Sequence, residues 1–392
     1  MTFDFDVAIV GGGPAGTSTA LHLVRRERVR PGRIVLLEKA THPREKPCAG
    51  AVSAWGLEAL DAIGVGVDVP HVAMAGLRVL AGGDVGAYRG MLGVVVRRRE
   101  FDASLWRRAA GDGVVARDGD PVIAIVPIAG GWRLVTQAGA FCCRLLAACD
   151  GSGSFVRKAL GLGERARKGH LYVTETPAAP CDDGPNGGLC DFDLRVADGG
   201  IEGYYWDFPA IIDGNAVVSR GIYHANFTPR PDLKLHFAAA LAARGLDIEN
   251  LRLKAFSTRP LVRGAPVGFE RLVLVGEAAG IDRATGEGIA QAILTGALAA
   301  KQLARALRTG DGSLRAYGDD LVRSRVGRHL LQSAWLSRRV YGPRGGPWRS
   351  FLARDATARD AGAQWYAGHR LPWIAKARLA ASLAWSAARD RS

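Results

Sequence analysis

Apolar positions form short unbroken runs near the start of the chain and alternating runs through its middle. Phe5-Asp6-Val7-Ala8-Ile9-Val10 reads as a strand that ends in Gly11-Gly12-Gly13-Pro14-Ala15-Gly16 and passes into a helix. Ile34-Val35-Leu36-Leu37 predicts a second strand, closed by Glu38. Pro43 to Ala51 predicts an ordered loop, and a helical stretch follows to Ile63. Residues 74–96 alternate around Gly82-Gly83-Asp84, the pattern of a hairpin, and a helix follows to Ala110. Strands at 121–126 and 132–137 flank Gly130-Gly131, and Arg144 to Ala148 leads into Cys149-Asp150-Gly151. Residues 169–223 read as antiparallel strands rich in Tyr, Trp and Phe, with turns at Asp182-Asp183-Gly184-Pro185 and Asp213-Gly214-Asn215. After a helix at 233–244 come one more buried strand at 271–275 and a long Ala-rich helix from Ile289 to about Leu307.

This order predicts an α/β fold: a Rossmann-like domain over 1–165 and 258–320, interrupted by a mixed, mainly antiparallel sheet domain over 166–257. The hairpin at 70–95 is assigned to that sheet, and 321–392 to a helical C-terminal region.

A chain of 392 residues buries a large core and divides into two or three domains. The first residues carry no basic stretch followed by a long apolar one, and no apolar run reaches the length of a membrane span. Cytoplasm is the expected compartment. Cys48, Cys142, Cys143, Cys149, Cys181 and Cys190 contain no C-x-x-C pair and no adjacent His cluster, so no metal site is expected. His42, His170 and His224 show no Ser or Asp arrangement of a hydrolase.

The net charge of +14 is uneven: residues 321–392 hold fourteen Lys or Arg against three Asp, and five of the nine Trp. A basic, Trp-rich tail fits something anionic, such as lipid headgroups at a membrane surface, a diphosphate or an acidic carrier protein, or it is simply a solvated basic face. No nucleic-acid motif accompanies the charge.

The glycine turn carries the first chemistry. Gly11 permits the tight turn, Gly13 lets backbone approach a pyrophosphate, and Gly16 lets the helix pack on the sheet, with Pro14 and Ala15 in the first helical turn. Glu38, followed by Lys39, stands roughly 20 residues beyond the glycines, where a carboxylate holds a ribose diol. The helix start offers free N–H groups to phosphate oxygens. Together they predict a dinucleotide site.

Four segments, namely this turn with Glu38, the Arg98/Asp102 segment, Asp150-Gly151, and Gly276-Glu277 through Gly286-Glu287-Gly288-Ile289, together resemble the flavoprotein family of aromatic hydroxylases, halogenases and geranylgeranyl reductases. The resemblance implies that the first site holds the ADP half of FAD. It places Gly276-Glu277 beside the ribityl chain and pyrophosphate, with Glu277 where the family usually has Asp. It aims the helix opened by Gly286 to Ile289 at the flavin ring, where a helix start stabilises negative charge. Arg98 and Asp150 fall on the cofactor side, while Asp102 caps or pairs structurally.

Pro43-Arg44-Glu45-Lys46-Pro47-Cys48-Ala49-Gly50 is similar to the geranylgeranyl reductase loop Pro-Arg-x-Lys-Pro-Cys-Gly-Gly, with Ala49 replacing the first glycine. The likeness sets Arg44, Pro47 and Ala49 by the cofactor and Cys48 near the substrate's double bond, as a proton relay or a tuner of the ring environment. Tyr204-Tyr205-Trp206-Asp207-Phe208-Pro209 is similar to the reductases' Y-x-W-x-F-P. Alternation puts Tyr204, Trp206 and Phe208 on one face, and beside the Cys48 loop they are expected to wall an apolar substrate cavity over the flavin, as residues of the catalytic site, rather than to form ordinary sheet core.

The halogenases need a lysine beyond the first motif, and none occurs between Lys46 and Lys158. No second G-x-G-x-x-G is present, since Gly151-x-Gly153 is followed by Val156, so the electron donor is NAD(P)H bound transiently or a ferredoxin-like protein. The leading expectation is an FAD-dependent oxidoreductase that reduces a carbon–carbon double bond of an isoprenoid-like or other lipophilic substrate. An FAD-dependent monooxygenase or dehydrogenase of secondary metabolism, and a flavin electron-transfer protein, stand as alternatives.

Overall fold

The first apolar run forms β1 (Phe5–Val10), which passes through the glycine turn into α1 (Pro14–Arg25), and the second forms β2 (Ile34–Glu38). After the Pro43–Ala51 loop come β3 (Ala51–Ser53), α2 (Ala54–Asp61), the hairpin β4 (His71–Ala81) and β5 (Asp84–Val96), and α3 (Arg98–Gly111). Then follow β6 (Val115–Asp118), the meander β7 (Val122–Ile128), β8 (Gly131–Thr136) and β9 (Gly139–Ala148), and the short α4 (Phe155–Ala159). The middle holds β10 (Gly169–Pro177), α5 (Asp183–Asn186), β11 (Cys190–Asp193), β12 (Gly203–Ile212), β13 (Asn215–His224), α6 (Leu233–Ala242) and β14 (Lys254–Thr258). The chain returns through β15 (Gly268–Phe269), β16 (Leu272–Leu274) and the long α7 (Ile289–Thr309), and continues into α8 (Tyr317–Arg323), α9 (Arg325–Tyr341), α10 (Gly346–Arg354) and α11 (Ala356–Tyr366). This computed structural model describes residues 2–369 except Arg165, Pro229, Arg230, Arg283 and Ala284, and beyond them residues 373–374, 377–379 and 381. Most of 370–392, including Trp385, therefore lies outside the described residues.

Two sheets organise the molecule. The first runs β15-β16-β9-β1-β2-β6, with β8 also on β9 and β7 on β8. β1 pairs in parallel with β2 and with β9, and β16 pairs in parallel with β9, so that Val10, Ala148 and Leu274 stand level. That register is what assembles the site. It brings the glycine turn after β1, Asp150-Gly151 after β9 and Gly276-Glu277 after β16 to one edge, where parallel sheets carry their ligands. The level is held by backbone hydrogen bonds from Gly11 N–H to Leu37 (2.8 Å), Cys149 N–H to Val10 (2.7 Å) and Val275 N–H to Ala148 (2.8 Å). Its central strands β1, β2 and β16 are buried on both faces, between α1 and α3 among others, as their unbroken apolar runs require.

The second sheet runs β14-β10-β13-β12-β11-β4-β5-β3. It is mixed, because β11 lies parallel to β4 while its other pairs are antiparallel. The hairpin around Gly82-Gly83-Asp84 belongs here, and so do Ala51–Ser53 and the whole of Lys254–Thr258, which sequence patterning assigned elsewhere or left as loop. Alternation along β12 sorts its side chains. Tyr204, Trp206 and Phe208 join one buried cluster with Phe192, Val340, Ala363 and Tyr366, whereas Tyr205 faces Phe237 and Leu241 of α6.

The C-terminal helices cover the first of these faces: Tyr366 meets Phe192 at 5.5 Å, and Phe192 in turn meets Tyr204 (5.2 Å) and Phe208 (5.1 Å). Beneath the opposite face, Arg220 is enclosed by Asp207 (2.7 Å), Thr176 (2.8 Å) and Asp182, and Arg244 bridges Asp207 and Asp193. Buried charges of this kind persist only when each has its partner. No described helix is long and apolar enough to cross a membrane.

Candidate functional site

A cavity of about 780 Å³ opens along the carboxyl edge of the first sheet and extends to the edge of the second. Its volume lies in the range of pockets that bury a whole cofactor. One end is the glycine turn. Gly11 has φ +110, and a side chain on it would strike the Cys149 carbonyl; one on Gly16 would strike the Gly11 carbonyl as α1 packs down. Gly13, by contrast, faces the open cavity, its nearest outside neighbour being Arg44 Nη2 at 3.4 Å from where a Cβ would stand. Val10, Pro14 and Ala15 complete this end.

Glu38, at the end of β2, is fixed by the backbone of the turn it serves. Its Oε2 accepts from Gly12 N–H (3.0 Å), its Oε1 accepts from Ala40 N–H (3.2 Å), and Arg44 Nε lies 3.1 Å from Oε2. Arg44 also reaches Asp102 (3.4 Å), and Arg98 makes a two-pronged pair with the same carboxylate at 2.8 and 2.8 Å. Burial works against the Arg98 cation, but Asp102 and a hydrogen bond with Cys48 more than offset it and raise its affinity for the proton. The ordered row Glu38, Arg44, Asp102, Arg98, Cys48 thus runs along one wall.

The far end is apolar and differently made. Cys48, Lys46 and Pro47 come from the loop, Leu171 from β10, Phe256 and Thr258 from β14, and Ile281 from the segment before α7. Lys46 Nζ sits 3.3 Å from the centre of the Phe256 ring, a cation–π contact in a partly desolvated place. Burial, then the nearby Arg98 and Arg44 cations, pull its amine down to about 7. Glu277, in the turn after β16, shows the opposite shift. Burial, then the neighbouring Asp282, push its carboxyl up to about 8, although Oε2 accepts the Arg259 N–H at 2.6 Å. Asp282 is itself engaged by Tyr223 and Thr258.

Most of the residues singled out from sequence line this one cavity: Gly11, Gly13, Pro14, Ala15, Glu38, Lys39, Arg44, Pro47, Cys48, Arg98, Asp150, Gly151, Glu277, Gly286, Gly288 and Ile289. Others act from behind it. Gly16 is the contact of α1 with the turn, Gly276 packs against Ala15, and Ala49 joins the second cluster of apolar side chains. Glu287 faces inward, accepting from Ser53 Oγ (2.8 Å) and from Gln291, and so ties α7 to β3.

The aromatic strand requires a correction. Trp206 and Phe208 form no wall of the cavity but lie in the core beneath the C-terminal helices. Tyr204 alone reaches toward the site, its hydroxyl donating to the Thr285 carbonyl at 2.5 Å and holding the Gly286 turn. The apolar wall comes instead from β10 and β14, an edge that alternation in β12 could not reveal. Lys46, Leu171, Phe256, Thr258 and Ile281 are the residues that sequence reasoning missed. Lys46 stood inside the quoted loop motif, which was the available signal.

Asp150 tests whether the lining fits a dinucleotide flavin. Its Oδ2 accepts from Val156 N–H (2.9 Å) at the start of α4, while its buried Oδ1 has no partner among the described residues. Asp150 also lines the cavity, where a carboxylate is an acceptor for a ligand hydroxyl. With the open Gly13 backbone at one end and the start of α7 at Gly288-Ile289, the lining fits FAD. Among the described residues no cluster could hold a metal ion.

Comparison with known proteins agrees with this geometry. A family described as FAD-NAD(P)-binding matches residues 8–55. A menaquinone reductase of Mycobacterium tuberculosis is 29% identical over 332 residues, covering 76% of this chain and 76% of that protein. Among solved structures, a geranylgeranyl bacteriochlorophyll reductase-like protein from Thermoplasma acidophilum superposes with a TM-score of 0.74 at 20% identity, over 90% of this chain and 92% of that one. The p-nitrophenol 4-monooxygenase of Pseudomonas putida gives 0.71 at 17% identity, over 95% and 100%. Reductase and oxygenase share one fold, and this chain has it.

Proposed function

We propose that this chain, a flavoprotein oxidoreductase whose cofactor is FAD, reduces a carbon–carbon double bond of an isoprenoid-like or other lipophilic molecule at the Cys48 end of its cavity. The carrying observation is the pairing of apolar walls with proton-bearing groups at that end: Leu171, Phe256 and Ile281 beside Lys46, Cys48 and Glu277. Apolar walls hold a molecule without charge, and reduction of its double bond needs one hydride and one proton.

FAD, when bound and reduced by NAD(P)H or a ferredoxin-like donor, supplies the hydride. The chain supplies the proton, so that two hydrogens add across the double bond and a saturated bond remains. Lys46 Nζ, with its amine near 7, gains and loses a proton near neutrality and stands over the apolar wall. Glu277, with its carboxyl near 8, stays protonated at pH 7 and can restore the proton to Lys46. Cys48 stands beside Arg98 and orders the wall between them. The N-terminus of α7 favours negative charge at this end of the cavity. The names of the relatives support the reading: one is a reductase of menaquinone, the other reductase-like toward geranylgeranyl bacteriochlorophyll.

The test is anaerobic. Protein reduced with one equivalent of dithionite and mixed with a polyprenyl compound that carries no quinone, such as geranylgeraniol, is expected to reoxidise without oxygen and to yield a product heavier by two hydrogens with one double bond fewer. Reoxidation that occurs only with oxygen, with oxygen inserted in the product, would refute the reading in favour of a monooxygenase. A flavin indifferent to every small molecule but oxidised by a protein partner would assign electron transfer instead. Reduction by NADPH, compared with a reduced ferredoxin, identifies the donor.

A further inference from the structure

Residues 321–354 contain eight arginines and no acidic residue. The helix α9 at their centre is sharply two-sided. Val326, His329, Leu330, Ser333, Ser337, Val340 and Tyr341 are buried. That inner face is locked by a stack in which His329 lies between Trp55 (4.8 Å) and Trp365 (4.2 Å), with the Trp365 indole donating to Ser333 at 2.9 Å. The outer face is spaced along the same helix as Arg325, Arg328, Gln332, Trp335 and Arg339, all exposed. None of the α9 arginines pairs with a carboxylate among the described residues, although the rest of the molecule pairs its arginines freely.

Trp335 is the second observation. It is 55% exposed, and the Arg339 guanidinium lies 3.4 Å from its ring centre. Beyond α11, Trp373 and Ile374 are 77% and 49% exposed. Trp335 and Trp373 are the most exposed tryptophans of the described residues, and both lie in the basic region. A surface of exposed arginines that meet carbonyls and rings but no carboxylate, with outward indoles, is suited to the headgroup layer of a bilayer, where cations meet phosphates and indole rings sit between water and hydrocarbon. A purely electrostatic contact with an acidic protein would use the arginines and leave the indoles without a role.

We propose that the outer face of α9 docks the protein on an anionic lipid surface, with Arg328 and Arg339 on the phosphates and Trp335 in the interface. The docking does not depend on the reaction, and it would place any lipophilic-substrate site at the source of its substrate. The full FAD-loaded chain is floated with vesicles of phosphatidylcholine containing phosphatidylglycerol, and with vesicles of phosphatidylcholine alone. Binding is expected to the anionic vesicles only, to weaken with added salt, and to fall about thirty-fold in an Arg328→Ala/Arg339→Ala variant, from roughly five-fold per arginine. Brominated phosphatidylglycerol should quench tryptophan emission, and less so in Trp335→Phe. Equal binding to neutral vesicles, undiminished binding of the double arginine variant, or no vesicle binding while an acidic ferredoxin is bound, would each overturn the proposal.

Discussion

Replacing Lys46 by methionine removes the charge and the proton while keeping the stem's length against Phe256. With its amine near 7 rather than 10.5, about half of the enzyme carries the Lys46 proton at pH 7, and about one molecule in a hundred at pH 9. A proton donor acts in its protonated form, so the rate of anaerobic flavin reoxidation by the lipophilic substrate should be flat below about pH 7 and fall tenfold per pH unit above it. Lys46→Met should lower the rate at pH 6.5 by about 10²–10⁴-fold, the usual worth of a positioned acid, and abolish this alkaline limb. Glu277→Gln gives the contrast. If Glu277 only restores the proton, its variant keeps an alkaline limb, at or somewhat below 7 because one carboxylate beside Lys46 is gone, and slows repeated turnover more than the first one. Stopped-flow absorbance of the reduced flavin, recorded from pH 6 to 9.5, reads both effects. A Lys46→Met enzyme with the wild-type rate and limb would refute the assignment, and a limb abolished in Glu277→Gln but kept in Lys46→Met would transfer it.

The same two groups shape stability with opposite sign. Glu277 is raised from 4.5 to about 8, so its contribution is fully present below 4.5 and is lost as pH rises through 8, whereas the lowered Lys46 gains stability as pH rises from 7 toward 10.5. Thermal melts of Glu277→Gln should therefore show a flatter fall between pH 5 and 8 than the wild type, and an unchanged slope would deny that the carboxyl is buried. Gly16→Ala, whose methyl would strike the Gly11 carbonyl, is expected to give a folded protein that purifies without flavin absorbance; retained yellow colour would mean that the turn can yield. Arg220→Met leaves Asp182 buried without its cation and Asp207 with Arg244 alone, and should lower unfolding stability by about 3–5 kcal/mol in a urea titration. A loss under about 1 kcal/mol would show that water reaches the pair.

Much of the architecture is written locally. The glycine turn, the acid closing β2 and the unbroken apolar runs follow from steric need and two-sided burial, each visible within a dozen residues. The hairpin at Gly82-Gly83-Asp84 is likewise set by its own alternation. What could not be read are properties of pairs distant in sequence. β3 is three residues long and is made a strand by β5 alone. Alternation said that Tyr204, Trp206 and Phe208 share a face, but not that Tyr366 and its helix cover it. Lys46 and Phe256 lie 210 positions apart, and no pattern in either segment predicts that an ammonium would rest on a ring. Shifts in acidity arise from burial, which a motif does not encode.

The level alignment of β1, β9 and β16 has a bearing on how the protein comes into being. β16 is the strand that completes the cofactor edge, and it lies at Leu272–Leu274, after the whole second sheet except its covering helices. During synthesis the first sheet must wait, with β1 and β9 already emerged, while more than a hundred intervening residues are made. Contacts so distant in sequence form slowly, and waiting strand edges are open to aggregation. The strands of the second sheet all precede β16 and can pair before the first sheet is complete. Flavin then enters late, at a site that closes only when α7 has left the ribosome. Synthesis in flavin-starved cells should accordingly yield a chain with an ordered middle and a protease-sensitive beginning.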